Sequence, residues 1–195
     1  EPYRRQRQMC IRDRAQVMNS VLGGSMSSRL FQTVREKLGL AYTVYSYNTS
    51  YSDTGTQVIY AGVNAENFKK SVDAIYKCIE DIKRKDIGMD EFNRGKEQLK
   101  ASSIFAQEST SSQMLLYGKE LMYSGKLYDF EERIASVNAV TMDDVYESID
   151  NAFDSSRMAA AVVGQHLRDA FAHLLGGLVR KGQGEYVEGR HAPLD

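Results

Sequence analysis

Residues 15–164 contain no proline, and along them the spacing of apolar residues follows first the helical period, then two, then the helical period again. A period of 3.6 builds a helix with one apolar stripe, and strict alternation builds a strand with one apolar face, so a short β-region is embedded in a run of helices. Residues 15–22 read as the end of a helix stopped by Gly23 and Gly24. Ser27 or Ser28 is placed to cap a second helix through SRLFQTVREKL to Gly39, with Leu30, Phe31, Val34 and Leu38 on one face.

Beyond Gly39 the alternation begins. Thr43, Tyr45, Tyr47, Thr49 and Tyr51 share one side, and Tyr42, Val44, Ser46 and Asn48 share the other. Ser52-Asp53-Thr54-Gly55 turns the chain into TQVIYAGV, which predicts an antiparallel hairpin whose tyrosine face packs under helices. A helix follows with Asn64 as its cap and Phe68, Val72, Ile75, Ile79 and Ile82 on its core face. Further helices are expected over residues 90–107, over 110–124 with Gly125 as the stop, and over 129–137. Thr141 and Asp144 have capping-box spacing before Val145, Ile149, Ala152 and Phe153, and the small-apolar run MAAAVVG predicts a buried strand. The expected class is α+β, an antiparallel sheet covered on one face by helices. Three strands are few for such a sheet, which points to a domain that has lost strands at its N-terminal side.

The flanks differ from this core. Residues 1–14 hold five Arg and two acids, and they are expected to be an extraneous or disordered tail ahead of a domain over 15–164. Residues 165–195 carry all three histidines and five of the fifteen glycines, and are expected to be an atypical tail with one short helix. The chain has 25 basic and 26 acidic residues, so it has no global field for nucleic acid or an anionic membrane. No apolar run is long enough to span a bilayer, and no signal peptide is visible, from which a cytoplasmic location is expected. Cys10 and Cys78 are too far apart in sequence for a ribbon or redox pair, and Cys78 reads as a packing residue.

Most chemistry-bearing patterns are missing. His166 and His173 are seven apart, and neither HExxH nor HxxEH occurs, so no zinc site is expected in this chain. GGSMSS lacks the lysine of a phosphate-binding loop, and there is no GxSxG. Glu131-Glu132 and Asp143-Asp144 are adjacent, and on helices they diverge by about 100°, which suits first-turn charges rather than two carboxyls acting on one bond.

One stretch stands apart, SSRLFQTVREKLGLAY. Its Arg35 reads either as a cation favourable to a helix C-terminus or as a functional donor, and its Tyr42 either as an ordinary strand aromatic or as that donor's partner across the Gly39 turn. GGSMSSRLFQTVREKLGLAYTVYS resembles the signature of the C-terminal half of the pitrilysin/insulinase family of zinc metallopeptidases, the inverzincins. The hairpin, the AENFKKSVDAIYKCIEDI and DEFNRGKEQLKAS helices and the closing AAAVVG follow the same order.

The resemblance implies an enzyme of paired α+β domains, in which one domain carries zinc on HxxEH and a distal Glu and the other supplies an Arg/Tyr pair seven residues apart. Arg35 and Tyr42 have that spacing. It implies that they bind the backbone of a peptide substrate and support catalysis as oxyanion and carbonyl donors beside a zinc-bound water. Zinc and the general base would come from an N-terminal half or a partner subunit, so this chain alone is expected to be inactive as a metalloendopeptidase. The alternative within the family is a non-catalytic scaffold or partner subunit, like the core proteins of a respiratory complex.

Overall fold

The computed structural model describes residues 2–51 and 54–164. The chain separates into two compact units, Glu1–Ala152 and Phe153–Asp195. The first unit begins with helix α1 (Pro2–Leu22), followed by a π-helix (Phe31–Lys37), strands β1 (Ala41–Ser50) and β2 (Gly55–Val63), and a 3₁₀ turn (Ala65–Asn67). Helices α2 (Phe68–Lys83), α3 (Met89–Glu108), α4 (Thr110–Ser124), α5 (Phe130–Ala139) and α6 (Met142–Ala152) complete it. The five helices after the hairpin are those the apolar spacing predicts, and the α+β class holds.

β1 and β2 form an antiparallel pair in which Tyr45 faces Tyr60 and Ser46 faces Ile59. The expected burial of the tyrosine face is reversed. Val44 and Ser46 are buried, whereas Tyr45, Tyr47 and Tyr60 are exposed, with the rings of Tyr45 and Tyr60 stacked at 5.1 Å between centroids. The reason is the close approach of α1. The Ser46 N–H donates to the Gly23 carbonyl at 3.0 Å, and the Asn19 Oδ1 accepts from Ser46 Oγ at 2.7 Å and Gln57 Nε2 at 2.8 Å. Only small side chains fit in that gap, so the bulky rings take the open face.

Helix α1 runs through the middle of the packing. Its Val17, Met18, Val21 and Leu22 are buried, and α3, α5 and α6 pack against it. Gly95 lets α3 approach, since a Cβ there would lie 3.3 Å from Val21 Cγ2. Val72, Cys78, Ile79 and Ile82 of α2, Phe92 of α3, Val137 of α5, and Val145 and Ile149 of α6 fill the remaining core. Cys78 thus packs as its place on α2 implies.

A tail ending at residue 14 does not match the helix, which crosses that position without a break. Asp13 is 1% exposed, and its carboxylate accepts from the Arg133 guanidinium of α5, which also binds Gln16. Arg14 pairs with Asp144 at 2.9 Å and Glu147 at 2.8 Å on α6. Arg and Gln are good helix formers, and the basic excess that marked this stretch as foreign is partly consumed by acids of α6.

Helix ends follow their local chemistry. Asp129 caps α5 by accepting from the Glu131 and Glu132 amides, and Gly125 closes α4 at φ 70°. Thr141 and Asp144 form the reciprocal capping box of α6. In the second unit, the described residues comprise a 3₁₀ turn (Ser155–Arg157) and a stretch without regular structure. The predicted buried strand in MAAAVVG is absent. Ala159, Ala160, Ala161 and Val163 are exposed, because an apolar strand is buried only where neighbouring strands flank it, and the described sheet is the hairpin alone. The tail over 165–195, with its possible helix, lies outside the described residues.

Candidate functional site

The site is built at the junction of the π-helix and β1. Ser28 Oγ bonds the Ser25 carbonyl, and Arg29 reaches Glu91 of α3 with two parallel bonds of 2.6 and 2.7 Å, which anchors the start of this segment. Hydrogen bonding to Glu91 raises the Arg29 pKa above its ordinary value, against the opposing effect of burial. From there the chain winds wider than an α-helix. The Leu38 N–H donates to the Thr33 carbonyl at 3.1 Å, an i to i−5 bond, and the extra residue per turn swings Leu38 off the core face to 52% exposure. Leu30 and Val34 stay buried.

Gly39 closes the turn in the left-handed conformation at φ +60°, where its N–H meets the Arg35 carbonyl at 3.1 Å. The Leu40 N–H then reaches the Val34 carbonyl at 2.9 Å. The strand starts with a bulge. Ala41 pairs with Val63 and Thr43 with Gly62, so Tyr42 is the unmatched residue. Alternation alone assigns Tyr42 to the side of Val44 and Ser46; the bulge turns it out, and it is 87% exposed.

The result is an open cleft of about 400 Å³ lined by Arg35, Glu36, Tyr42 and the Gly39–Ala41 backbone on one side and by Asn64 and Asn67 on the other. The Arg35 guanidinium lies 4.8 Å from the Phe31 ring centroid, one turn back, and its Nε is 3.9 Å from Glu36 Oε1. A cation held over a ring and beside one carboxylate keeps donors for an incoming acceptor. The two residues singled out by spacing therefore share one cleft. Phe31 and the asparagines were not singled out as site residues. The pairing of Val63 with Ala41 sets Asn64 opposite Leu40, at the turn that leads into Tyr42.

A second groove, of about 580 Å³, lies along α3 between Ser27 and Ala101. Its lining side chains Asp90, Asn93, Arg94, Glu97 and Gln98 are exposed helix polar groups, one of which, Glu97, is already paired with Lys100 at 2.6 Å. Among the described residues, no His, Cys, Asp and Glu side chains are grouped to hold a metal ion, so they do not fit a zinc site. His166, His173 and His191 fall outside the described residues. None of the described helices is long and apolar enough to cross a membrane.

Comparison with known proteins agrees with this architecture. Residues 12–99 match the Peptidase M16 inactive domain. The chain is 45% identical over 129 residues to the uncharacterized zinc protease YmxG of Bacillus subtilis, a match that covers 66% of this chain and 32% of that protein. The chain spans about a third of the length of the curated relatives it matches. Its fold superposes with a TM-score of 0.65 on the peptidase M16 inactive domain from Pseudomonas fluorescens, at 23% identity over 73% of this chain and 34% of that one. It also superposes with a TM-score of 0.62 on a chain of complex III2 from Candida albicans with Inz-5 bound, at 17% identity over 77% and 36% of the two chains. Over residues 12–99 this chain is similar to the peptidase M16 inactive domain, and it shares that domain's fold.

Proposed function

We propose that this chain is the substrate-binding, zinc-free part of a zinc-dependent metalloendopeptidase, in which Arg35 and Tyr42 hold the backbone of a peptide. The observation that carries the reading is that both residues line one open cleft, with Tyr42 displaced from the strand's core face by a bulge. Guanidinium and phenol are donors suited to a carbonyl oxygen that gains negative charge during acyl transfer. Zinc belongs to the complete protein, on a domain or partner beyond this chain. The zinc-protease names of the relatives support that assignment.

A second reading is a non-catalytic scaffold or partner subunit, favoured by the likeness to a chain of complex III2. The two differ in whether the Arg35/Tyr42 pair is used. Kinetics of the complete protein separate them: Arg35→Ala should raise KM for an unstructured peptide by about tenfold or more, because a charged donor to the ground-state chain is lost. A complete protein that cleaves no peptide leaves the scaffold reading, and cleavage that ignores Arg35 removes Arg35 from substrate binding.

A further inference from the structure

Arg35 offers only donors, and Tyr42 in the proposed role offers its O–H. A peptide backbone presents an N–H as well as a C=O at each residue. A donor-only pair satisfies the carbonyl, and an adjacent N–H taken from water without an acceptor opposes binding.

The other wall of the cleft carries two carboxamides, Asn64 and Asn67. Each stands where an asparagine commonly folds back to accept from a helix-start amide, and Asn64 has the extended backbone suited to it, φ −72° and ψ 147°. Neither side chain makes such a bond. Their placement is fixed by tertiary structure. Val63 is paired with Ala41, so Asn64 leaves β2 opposite Leu40, and the 3₁₀ turn Ala65–Asn67 follows, with the Asn67 N–H bonded to the Asn64 carbonyl at 3.0 Å; both asparagines line the cleft that Arg35 and Tyr42 line. Gly39, which lines the cleft, has no heavy atom within 4 Å of where a Cβ would sit, so the cleft is open at that point.

We propose that Asn64 and Asn67 are the acceptor half of a backbone clamp whose donor half is Arg35 and Tyr42, and that the cleft selects an extended chain bearing free backbone N–H groups. A carboxamide presents both C=O and N–H, the same groups as the peptide it would face, so it matches backbone rather than any one side chain. This inference rests on the reading of Arg35 and Tyr42 given above.

The test uses the complete protein, zinc-bearing half included, and an unstructured reporter peptide with variants N-methylated at each backbone nitrogen in turn near the cleaved bond. Wild type should lose efficiency at one or two of the methylated nitrogens. The N64A/N67A double variant should raise KM for the unmodified peptide about tenfold with kcat within about twofold, and should no longer discriminate against those N-methyl peptides. If alanine at both helix-start positions prevents folding, Asn64→Ser with Asn67→Ser keeps a capping hydroxyl, shortens the reach and is read the same way.

An unchanged KM, or an N-methyl penalty that survives in the variants, overturns the clamp. Uniform cleavage of all N-methyl peptides by wild type does the same. Tyr42→Phe is measured alongside. If it lowers kcat while the asparagine variants behave as wild type, the clamp fails alone; if it leaves kcat unchanged, the reading of the cleft fails and the clamp with it.

Discussion

Gly23 and Ser46 meet so closely that a Cβ on Gly23 would sit 2.5 Å from Ser46 Oγ and 2.7 Å from Ser46 N. The glycine pair after α1 therefore does more than stop a helix: it lets the end of α1 close on β1, the strand that carries Tyr42. Part of the obstacle is backbone, which cannot rotate away. Gly23→Ala should lower stability by about 1–3 kcal/mol, the usual cost of overpacking, read as a fall in the urea midpoint at unchanged m. An alanine variant as stable as wild type would show that β1 and α1 are free to separate.

Asp13 and Arg133 tie α1 to α5 as an ion pair with Asp13 almost fully buried. Removing only the cation leaves that carboxylate uncompensated, so Arg133→Met should cost about 3–5 kcal/mol. Adding Asp13→Leu should recover much of the loss, because the buried charge is then gone. Chemical denaturation of the four species in the cycle gives the coupling, and additive costs would mean that the pair does not interact in solution.

Asp144 supplies the pH dependence of the α6 cap. Burial opposes ionisation, but hydrogen bonds from the Thr141 amide and hydroxyl, with the nearby Arg14 cation, outweigh it and hold the carboxyl below its usual range. A depressed folded pKa gives stability that is present above the unfolded carboxylate value, about 3.9, and is lost as pH falls through the folded value. Asp144→Asn should be less stable than wild type by about 0.5–1 kcal/mol at neutral pH, with the gap closing as pH falls below about 4. Thermal melts of both proteins from pH 7 to pH 3 measure it; a gap that persists at pH 3 would assign the effect to shape rather than charge.

The hairpin and the five later helices were legible because their apolar spacing is local and each is bounded by a glycine, a cap or a turn. The burial of the hairpin faces was not. Alternation separates the Tyr45 side from the Val44 side, but which side is covered depends on how near α1 comes, and that depends on Gly23 lacking a side chain. MAAAVVG has the composition of a buried strand without the neighbours such a strand requires. Arg4, Arg5 and Arg7 made residues 1–14 look foreign by charge, a property that says little about whether a segment is helical.

At the site, the seven-residue spacing of Arg35 and Tyr42 was readable, but the geometry that brings them to one cleft was not. The π-winding after Leu30 and the bulge at Tyr42 each add one residue to a regular pattern. A strictly periodic reading keeps Leu38 inside and places Tyr42 on the side of Val44 and Ser46, the face that α1 covers. Both residues are in fact exposed, and it is these departures that leave the Tyr42 hydroxyl accessible.

Tyr42→Phe tests the central claim most directly, since it deletes one hydroxyl from a ring that is 87% exposed and leaves the packing intact. The measurement is kcat of the complete, zinc-loaded protein on an unstructured peptide, with the melting temperature taken in parallel. Loss of a transition-state donor should lower kcat by roughly 10² to 10³ with little change in melting temperature. A Tyr42→Phe protein with wild-type kcat would contradict the account and leave Tyr42 a surface aromatic with no part in the reaction.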